Sequence, residues 1–169
     1  ASDPINGSLV GASDLVTYSV TLTNRNTLTT SAAHDIVITD TLPLHLRGAQ
    51  PTIITVTLNG TPIDPADYTA CFNSSTGVYT IGFASNINLS INGTLFVQYA
   101  ATIENTVPPD YALINVAQAA YDSQAGVVTG ERAYVTNLGT TTLHTRLPGI
   151  SKSVSSATAT LGDLITYTL

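Results

Sequence analysis

Charge is what this sequence has least of. Only 9% of its 169 residues are Asp, Glu, Lys or Arg, and the basic share is four Arg and one Lys. With a net charge of −6 and a pI near 4.6 there is no basic footprint. That argues against nucleic acid and anionic membrane surfaces as partners, because both are bound through clustered Lys and Arg. Methionine and tryptophan are absent, so the chain is expected to begin after any start codon or signal segment, as a mature or excised piece whose export signal or anchor lies elsewhere. No apolar run approaches the roughly 20 residues of a membrane-spanning helix, and no direct membrane insertion is expected of this segment. The single cysteine, Cys71, has no second thiol for a disulfide or a zinc knuckle and is expected to be a small buried apolar side chain.

What is present is apolar and hydroxyl-rich. Hydrophobic residues make up 43% of the chain, with Thr, Ser, Asn and Ala supplying most of the remainder, so the surface is expected to be neutral and rich in hydroxyls. The length suits one sandwich-sized domain and an overhang. The overhang is legible as a repeat: Gly11–Val20 aligns with Thr160–Leu169, placing Asp14 on Asp163 at a spacing of 149 residues. Leu15/Leu164, Thr17/Thr166 and Tyr18/Tyr167 are identical in this register, and Val16/Ile165 and Val20/Leu169 are near-isosteric. We therefore expect a tandem array, with 1–149 as one repeat and 150–169 as the first strand of the next, joined at Leu147-Pro148-Gly149.

Period-two alternation dominates the apolar stretches. Val16, Tyr18, Val20 and Leu22 share one strand face, Ile36 and Ile38 point inward before the turn Asp40-Thr-Leu-Pro43, and Leu95, Val97, Tyr99, Ala101 and Ile103 form another inward row. Ile53–Leu58 runs into Asn59-Gly60, a two-residue hairpin signal. Further strands are expected over Val78–Phe83, Ala112–Tyr121, Arg132–Thr136 and Thr140–Thr145, with Pro108-Pro109 opening a loop that crosses between sheets. No window carries a helical period. The pattern predicts an all-β, antiparallel Greek-key sandwich of immunoglobulin type.

Chemistry-bearing patterns are sparse. His34, His45 and His144 lack any His-x-His spacing and are expected to be ordinary exposed histidines. Asp64 and Asp67 lack an Asp-x-Asp ladder, so Asx-turn capping is preferred to calcium binding. There is no Gly-x-Ser-x-Gly elbow and no phosphate-cradling loop, and neither an active site nor a cofactor is expected. Asp40, before Thr41-Leu-Pro43, is expected to organise its turn. Asn-x-Ser/Thr sequons stand at Asn6, Asn59, Asn73, Asn88 and Asn92, candidate glycosylation sites on an exported protein.

The segment Leu15–Asn24, with Ala33–Pro43, Leu113-Ile-Asn-Val-Ala117 and Tyr121-Asp-Ser123, resembles a conserved repeat of bacterial and archaeal cell-surface and fibrous proteins. The resemblance implies a non-catalytic immunoglobulin-like module. A sister group, the fimbrial isopeptide-forming domains, shares the layout; there a first-strand Lys bonds to an Asn near the last strand with an acid assisting. That similarity places Asn115 and Asp40 at the Asn and acid positions, but the position matching the Lys is Asp3, while Lys152 occupies the equivalent place in the next repeat. Such a bond requires a neutral, buried amine attacking a carboxamide polarised by a protonated carboxyl. Lys152 is open to three readings: joined to Asn115 across the junction, bonded within the next repeat, or a solvated surface charge.

The expected function is a structural repeat of a long extracellular stalk, sheath or filament, its partners being neighbouring repeats or copies of itself. Strand 150–169 either pairs within its own repeat or complements the sheet of an adjacent unit. An adhesin with Tyr68, Phe72 and Tyr79 as a binding platform is the alternative, these aromatics being equally open to a place in the core or on an edge, and an accessory domain of an enzyme is a third.

Overall fold

The computed structural model describes residues 9–25, 31–155, 158, 160–162 and 164–168. In chain order the strands are β1 (Leu9–Val10), β2 (Leu15–Thr23), β3 (His34–Thr41), β4 (Thr52–Leu58), β5 (Thr61–Pro62), β6 (Tyr68–Asn73), β7 (Val78–Phe83), β8 (Thr94–Thr102), β9 (Ala112–Asp122), β10 (Ala133–Val135), β11 (Gly139–Thr145), β12 (Ser153–Val154) and β13 (Tyr167–Thr168). Among the described residues the one helical element is a 3₁₀ turn at Pro65–Asp67.

Alternation sorts these strands into two layers. One sheet has the order β1-β11-β9-β3-β7-β6, with β10 continuing beside β9 where β11 leaves off; the other runs β2-β8-β4-β5. The inward rows of both, including Val16 and Tyr18, Ile36 and Ile38, Tyr79 and Ile81, and Leu95, Val97 and Tyr99, form one apolar core. Pairing is antiparallel throughout except that β1 runs parallel to β11. The chain crosses from one sheet to the other six times, and two of those crossings are tied by features read in the sequence. Between β1 and β2 the carboxylate of Asp14 accepts from the N–H of Gly11 at 2.7 Å and from Arg146 at 3.1 Å, closing the turn. Between β8 and β9 the loop containing Pro108 and Pro109 makes the expected crossing.

The hairpin signal is realised as read: Asn59 and Gly60 both hold positive φ, at 53° and 81°, the requirement of a type I′ turn between β4 and β5. Asp64 caps the 3₁₀ turn by accepting from the N–H of Ala66 at 2.9 Å, as an Asx turn does. Residues Tyr68–Asn73 form an edge strand on which Tyr68, Ala70 and Phe72 lean inward while Thr69, Cys71 and Asn73 face out. Cys71 is therefore exposed, contrary to the expectation of burial. Alternation along the strand, with the aromatic positions taking the core side, outweighs the thiol's own preference for the interior.

Gly77 ends the β6–β7 connection at φ 78°, where an added Cβ would press on the Leu42 carbonyl oxygen and the Arg47 side chain. That carbonyl already accepts from Arg47 Nε, and Leu42 N–H in turn donates to Gly77. Gly77→Ala is expected to cost about 1–3 kcal/mol through combined strain and clash. Urea unfolding checks this, and a midpoint equal to that of the parent would mean that the loop relaxes freely.

After Leu147-Pro148-Gly149, β12 and β13 pair with each other, Ser153 with Thr168 and Val154 with Tyr167.

Candidate functional site

Among the described residues, alternation carries a carboxyl and a carboxamide into the core. Ile36, Ile38 and Asp40 share the inward face of β3, and Leu113, Asn115 and Ala119 that of β9, so the carboxyl and the carboxamide are carried inside with the apolar residues. The facing sheet supplies Tyr99 on β8 and, directly across the ladder on β2, Tyr18. Asp40 and Tyr99 are fully buried, and Tyr18 and Asn115 nearly so.

Tyr99 Oη donates to Asp40 Oδ2 at 2.6 Å, and Asn115 Nδ2 makes a long 3.5 Å contact to Tyr99 Oη. Aromatic packing fixes the ring of Tyr99 from both sides: Tyr18 stacks on it at 5.5 Å between centroids, and Tyr79 meets it edge-on at 5.1 Å. Tyr79 donates to the Pro51 carbonyl at 3.4 Å. Three buried atoms of the cluster have no hydrogen-bond partner among the described residues: Asp40 Oδ1, Asn115 Oδ1 and Tyr18 Oη.

Burial pushes the Asp40 carboxyl above its usual range, and hydrogen bonding to Tyr99 and Asn115 pulls only part of the way back. Burial likewise raises the phenols, Tyr79 up to about 12. Tyr18 and Tyr99 are raised further, because a negative Asp40 beside them adds to the desolvation. Burial thus penalises charge throughout the cluster and shifts the Asp40 carboxyl, beside the Asn115 carboxamide, toward its neutral form.

The cluster lies on a groove of about 350 Å³ lined on one side by Tyr18–Leu22 of β2 and on the other by Gly139–Thr141 of β11, with Asp40 and Asn115 also in its wall.

Of the residues singled out in the sequence, Asp40 and Asn115 are brought together. Asp40 does not organise the turn that follows it, a correction whose cause is its inward parity with Ile36 and Ile38. Lys152 is exposed, its Nζ 4.5 Å from the centre of the Tyr167 ring. Asp3 and Asn6 lie outside the described residues. Asn59, Asn73, Asn88 and Asn92 are all exposed. His144 is exposed, but His34 and His45 are half-buried, a second correction, since each lies beside packed strands or loops rather than on an open tip. No cluster of metal-ligating side chains occurs among the described residues. Of the two places open to the aromatics, the structure gives the core and edge one: Tyr79 is fully buried, and Tyr68 and Phe72 are partly buried against the core. Sequence reasoning did not assign Tyr99 and Tyr18 to the polar cluster. Their signal was available as two phenols at inward positions of neighbouring alternating strands.

In sequence the chain matches no family model and no curated protein. In structure it is similar to the Corynebacterium diphtheriae major pilin SpaA, described as a modular pilus assembly with stabilizing isopeptide bonds, at 22% identity and a TM-score of 0.55 over 69% of this chain and 29% of that one. It is similar also to a 35 kDa C-terminal fragment of the Streptococcus agalactiae major pilin GBS80, at 11% identity and a TM-score of 0.57 over 87% of this chain and 54% of that fragment. A third similar structure is AvmM, which catalyses a macrocyclization in alchivemycin A biosynthesis, at 11% identity and a TM-score of 0.50 over 85% and 86% of the two chains. The chain thus has the all-β sandwich fold found in pilin domains, and spans less than half the length of the first pilins it matches.

Proposed function

We propose that this chain is a non-catalytic structural module of a long extracellular or cell-surface protein, stacked end to end with further modules in a stalk, sheath or filament. The observation that carries the reading is the pilin-like sandwich together with a sequence repeat that restarts after 149 residues. A junction as short as Leu147-Pro148-Gly149 limits swivel between modules and favours a stiff rod. On this reading 1–149 is one repeat and 150–169 opens the next, the partners are neighbouring repeats or further copies, and no cofactor, nucleic acid or membrane insertion is involved. Spacer is favoured over adhesin because the aromatics that a ligand platform needs are turned into the core. The four described sequon asparagines are exposed and open to glycan attachment, which would add solubility to a charge-poor surface.

A covalent form of the same reading is supported by the adjacency of Asp40 and Asn115. In it the Nζ of Lys152 attacks Cγ of Asn115, the amide nitrogen leaves as ammonia, and protonated Asp40 polarises the carbonyl.

Negative-stain electron microscopy of native full-length material, with a denaturing gel and intact and glycopeptide mass spectrometry, tests these readings. Long fibres of regular axial repeat are expected; discrete particles that bind a ligand saturably would replace the spacer by an adhesin. A covalent link shows as high-mass bands and the loss of one ammonia per bond. Glycans show as modified Asn59, Asn73, Asn88 or Asn92, and the glycan reading falls if all are bare.

A further inference from the structure

We propose that β6 is a docking edge for a second copy of this chain, whose own β6 pairs with it antiparallel about a two-fold axis at Ala70. The contact goes beyond the end-to-end reading and does not require it.

The strand β6 ends its sheet. Among the described residues it pairs only with β7, from Tyr68 opposite Phe83 to Asn73 opposite Val78, without a shift of register. The segments on either side of it are described too: the 3₁₀ turn Pro65–Asp67 before it, and after it a turn in which Gly77 N–H donates to the Asn73 carbonyl at 2.8 Å. Residues outside the described set precede β1, lie between β2 and β3, or fall in the stretch of β12 and β13, and none adjoins β6 in the chain. Ala84 N–H donates to the Asp67 carbonyl at 2.9 Å, which fixes the parity of the ladder. Asp67, Thr69, Cys71 and Asn73 therefore exchange hydrogen bonds with β7, and the N–H and C=O groups of Tyr68, Ala70 and Phe72 point away from it. No described strand takes them up.

Such an edge is ordinarily blunted by charge, proline, a bulge or shortness. The other sheet shows these devices at its β5 end: β5 is two residues long and ends in Pro62, while β4, which β5 covers only at Thr57 and Leu58, follows Pro51 and shifts register between Ile53 and Thr55. None of them is present on β6. Its six residues, Tyr-Thr-Ala-Cys-Phe-Asn, include no charge and no proline.

The occupant follows from the order of those residues. With Ala70 opposite Ala70, Tyr68 stands opposite Phe72 of the second copy and Phe72 opposite its Tyr68, and each outward N–H meets an outward C=O. Both aromatics lie on the inward row and are only partly buried, Tyr68 beside Phe83 and Phe72 edge-on to Tyr79, so each has apolar surface left for a cross-strand neighbour. Ala70 keeps the axis between them clear of bulk. Asp67, at the head of the strand, falls opposite Asn73 of the second copy, so carboxylate meets carboxamide rather than carboxylate. A surface that pairs with itself closes on itself, and the product is a dimer, not a fibre. One short strand covers less than the roughly 1,000 Å² of a stable interface, so the contact is weak alone, with a dissociation constant of about 100 μM, and an end-to-end array multiplies it along its length.

Sedimentation of the 169-residue chain from about 10 μM to about 1 mM, with hydrogen exchange read at single amides, tests this. A monomer–dimer equilibrium is expected, in which protection of the Tyr68, Ala70 and Phe72 amides rises with concentration while that of Thr69, Cys71 and Asn73, already bonded to β7, stays constant. Ala70→Pro removes an outward N–H without touching the β7 ladder and is expected to weaken dimerisation at least about tenfold. Because proline in a strand can also unfold it, the register is read independently through thiols. Cys71 is exposed; in the dimer it lies diagonal to its own copy at roughly 7–8 Å between Cα atoms, beyond the reach of a disulfide. Thr69→Cys sets a thiol directly opposite it, about 4.5 Å away between Cα atoms, within that reach. Under oxidised glutathione, which takes up the two thiol hydrogens, this variant is expected to form covalent dimers on a non-reducing gel about tenfold faster than the parent. A chain that stays monomeric throughout the concentration range, protection that rises only on another strand, a folded Ala70→Pro chain that dimerises unchanged, or a parent that cross-links as fast as the Thr69→Cys variant would each overturn the proposal.

Discussion

Tyr99→Ala is expected to cost about 3–5 kcal/mol of folding stability, the range for truncating a large aromatic in a packed core. The ring is held between Tyr18 and Tyr79 and its hydroxyl is the donor to Asp40, so truncation leaves both a cavity and an unmet buried acceptor. Tyr99→Phe separates the two contributions. It keeps the ring but strips Asp40 Oδ2 of its donor, and is expected to cost about 1–3 kcal/mol, the usual penalty for orphaning a buried polar group. Chemical denaturation of the two variants against the parent measures both. A phenylalanine variant as stable as the parent would show that the hydroxyl bond to Asp40 contributes nothing net.

Asp40 is expected to make the protein more stable in mild acid than at neutrality. Its folded-state pKa lies above the ordinary aspartate value of 3.8, chiefly through burial. The native state therefore holds this proton more tightly than the unfolded chain does. The associated stability is fully present below the unfolded value and is lost as pH rises through the folded one. Melting temperature should fall as pH is raised across that window. Asp40→Asn keeps an acceptor for Tyr99 without a charge to desolvate, so it should flatten the profile and melt higher than the parent at neutral pH. Parallel profiles for the two proteins would refute a buried, proton-holding Asp40. The buried phenols act with the same sign in alkali, since their raised pKa values let the folded state lose stability once unfolded-chain tyrosines ionise.

Much of this fold was legible in the sequence because a strand's periodicity is local. Val16, Tyr18, Val20 and Leu22 declare one face of β2 without reference to any other strand, and Asn59-Gly60 declares a type I′ hairpin because few residue pairs tolerate two positive φ angles. The edge strand Tyr68–Asn73 alternates in burial, but Cys71 sets an apolar residue in its outward row, so the residue types alone do not separate its two faces. The misreading of Asp40 has a different cause. The adjacent Thr41-Leu-Pro43 is a turn signal in which an Asp ordinarily serves, and that local chemistry concealed its parity with Ile36 and Ile38.

What the sequence by itself determined is the all-β class, the strand faces and the hairpin turn, all of which depend on residues within a few positions of one another. What only the tertiary structure decided is which faces meet. Asp40, Asn115, Tyr99 and Tyr18 come from four strands in two sheets, and their adjacency depends on sheet order and stacking that no one strand's alternation encodes. The same is true of Cys71, exposed on an edge strand, and of the groove lined by β2 and β11, strands distant in the chain.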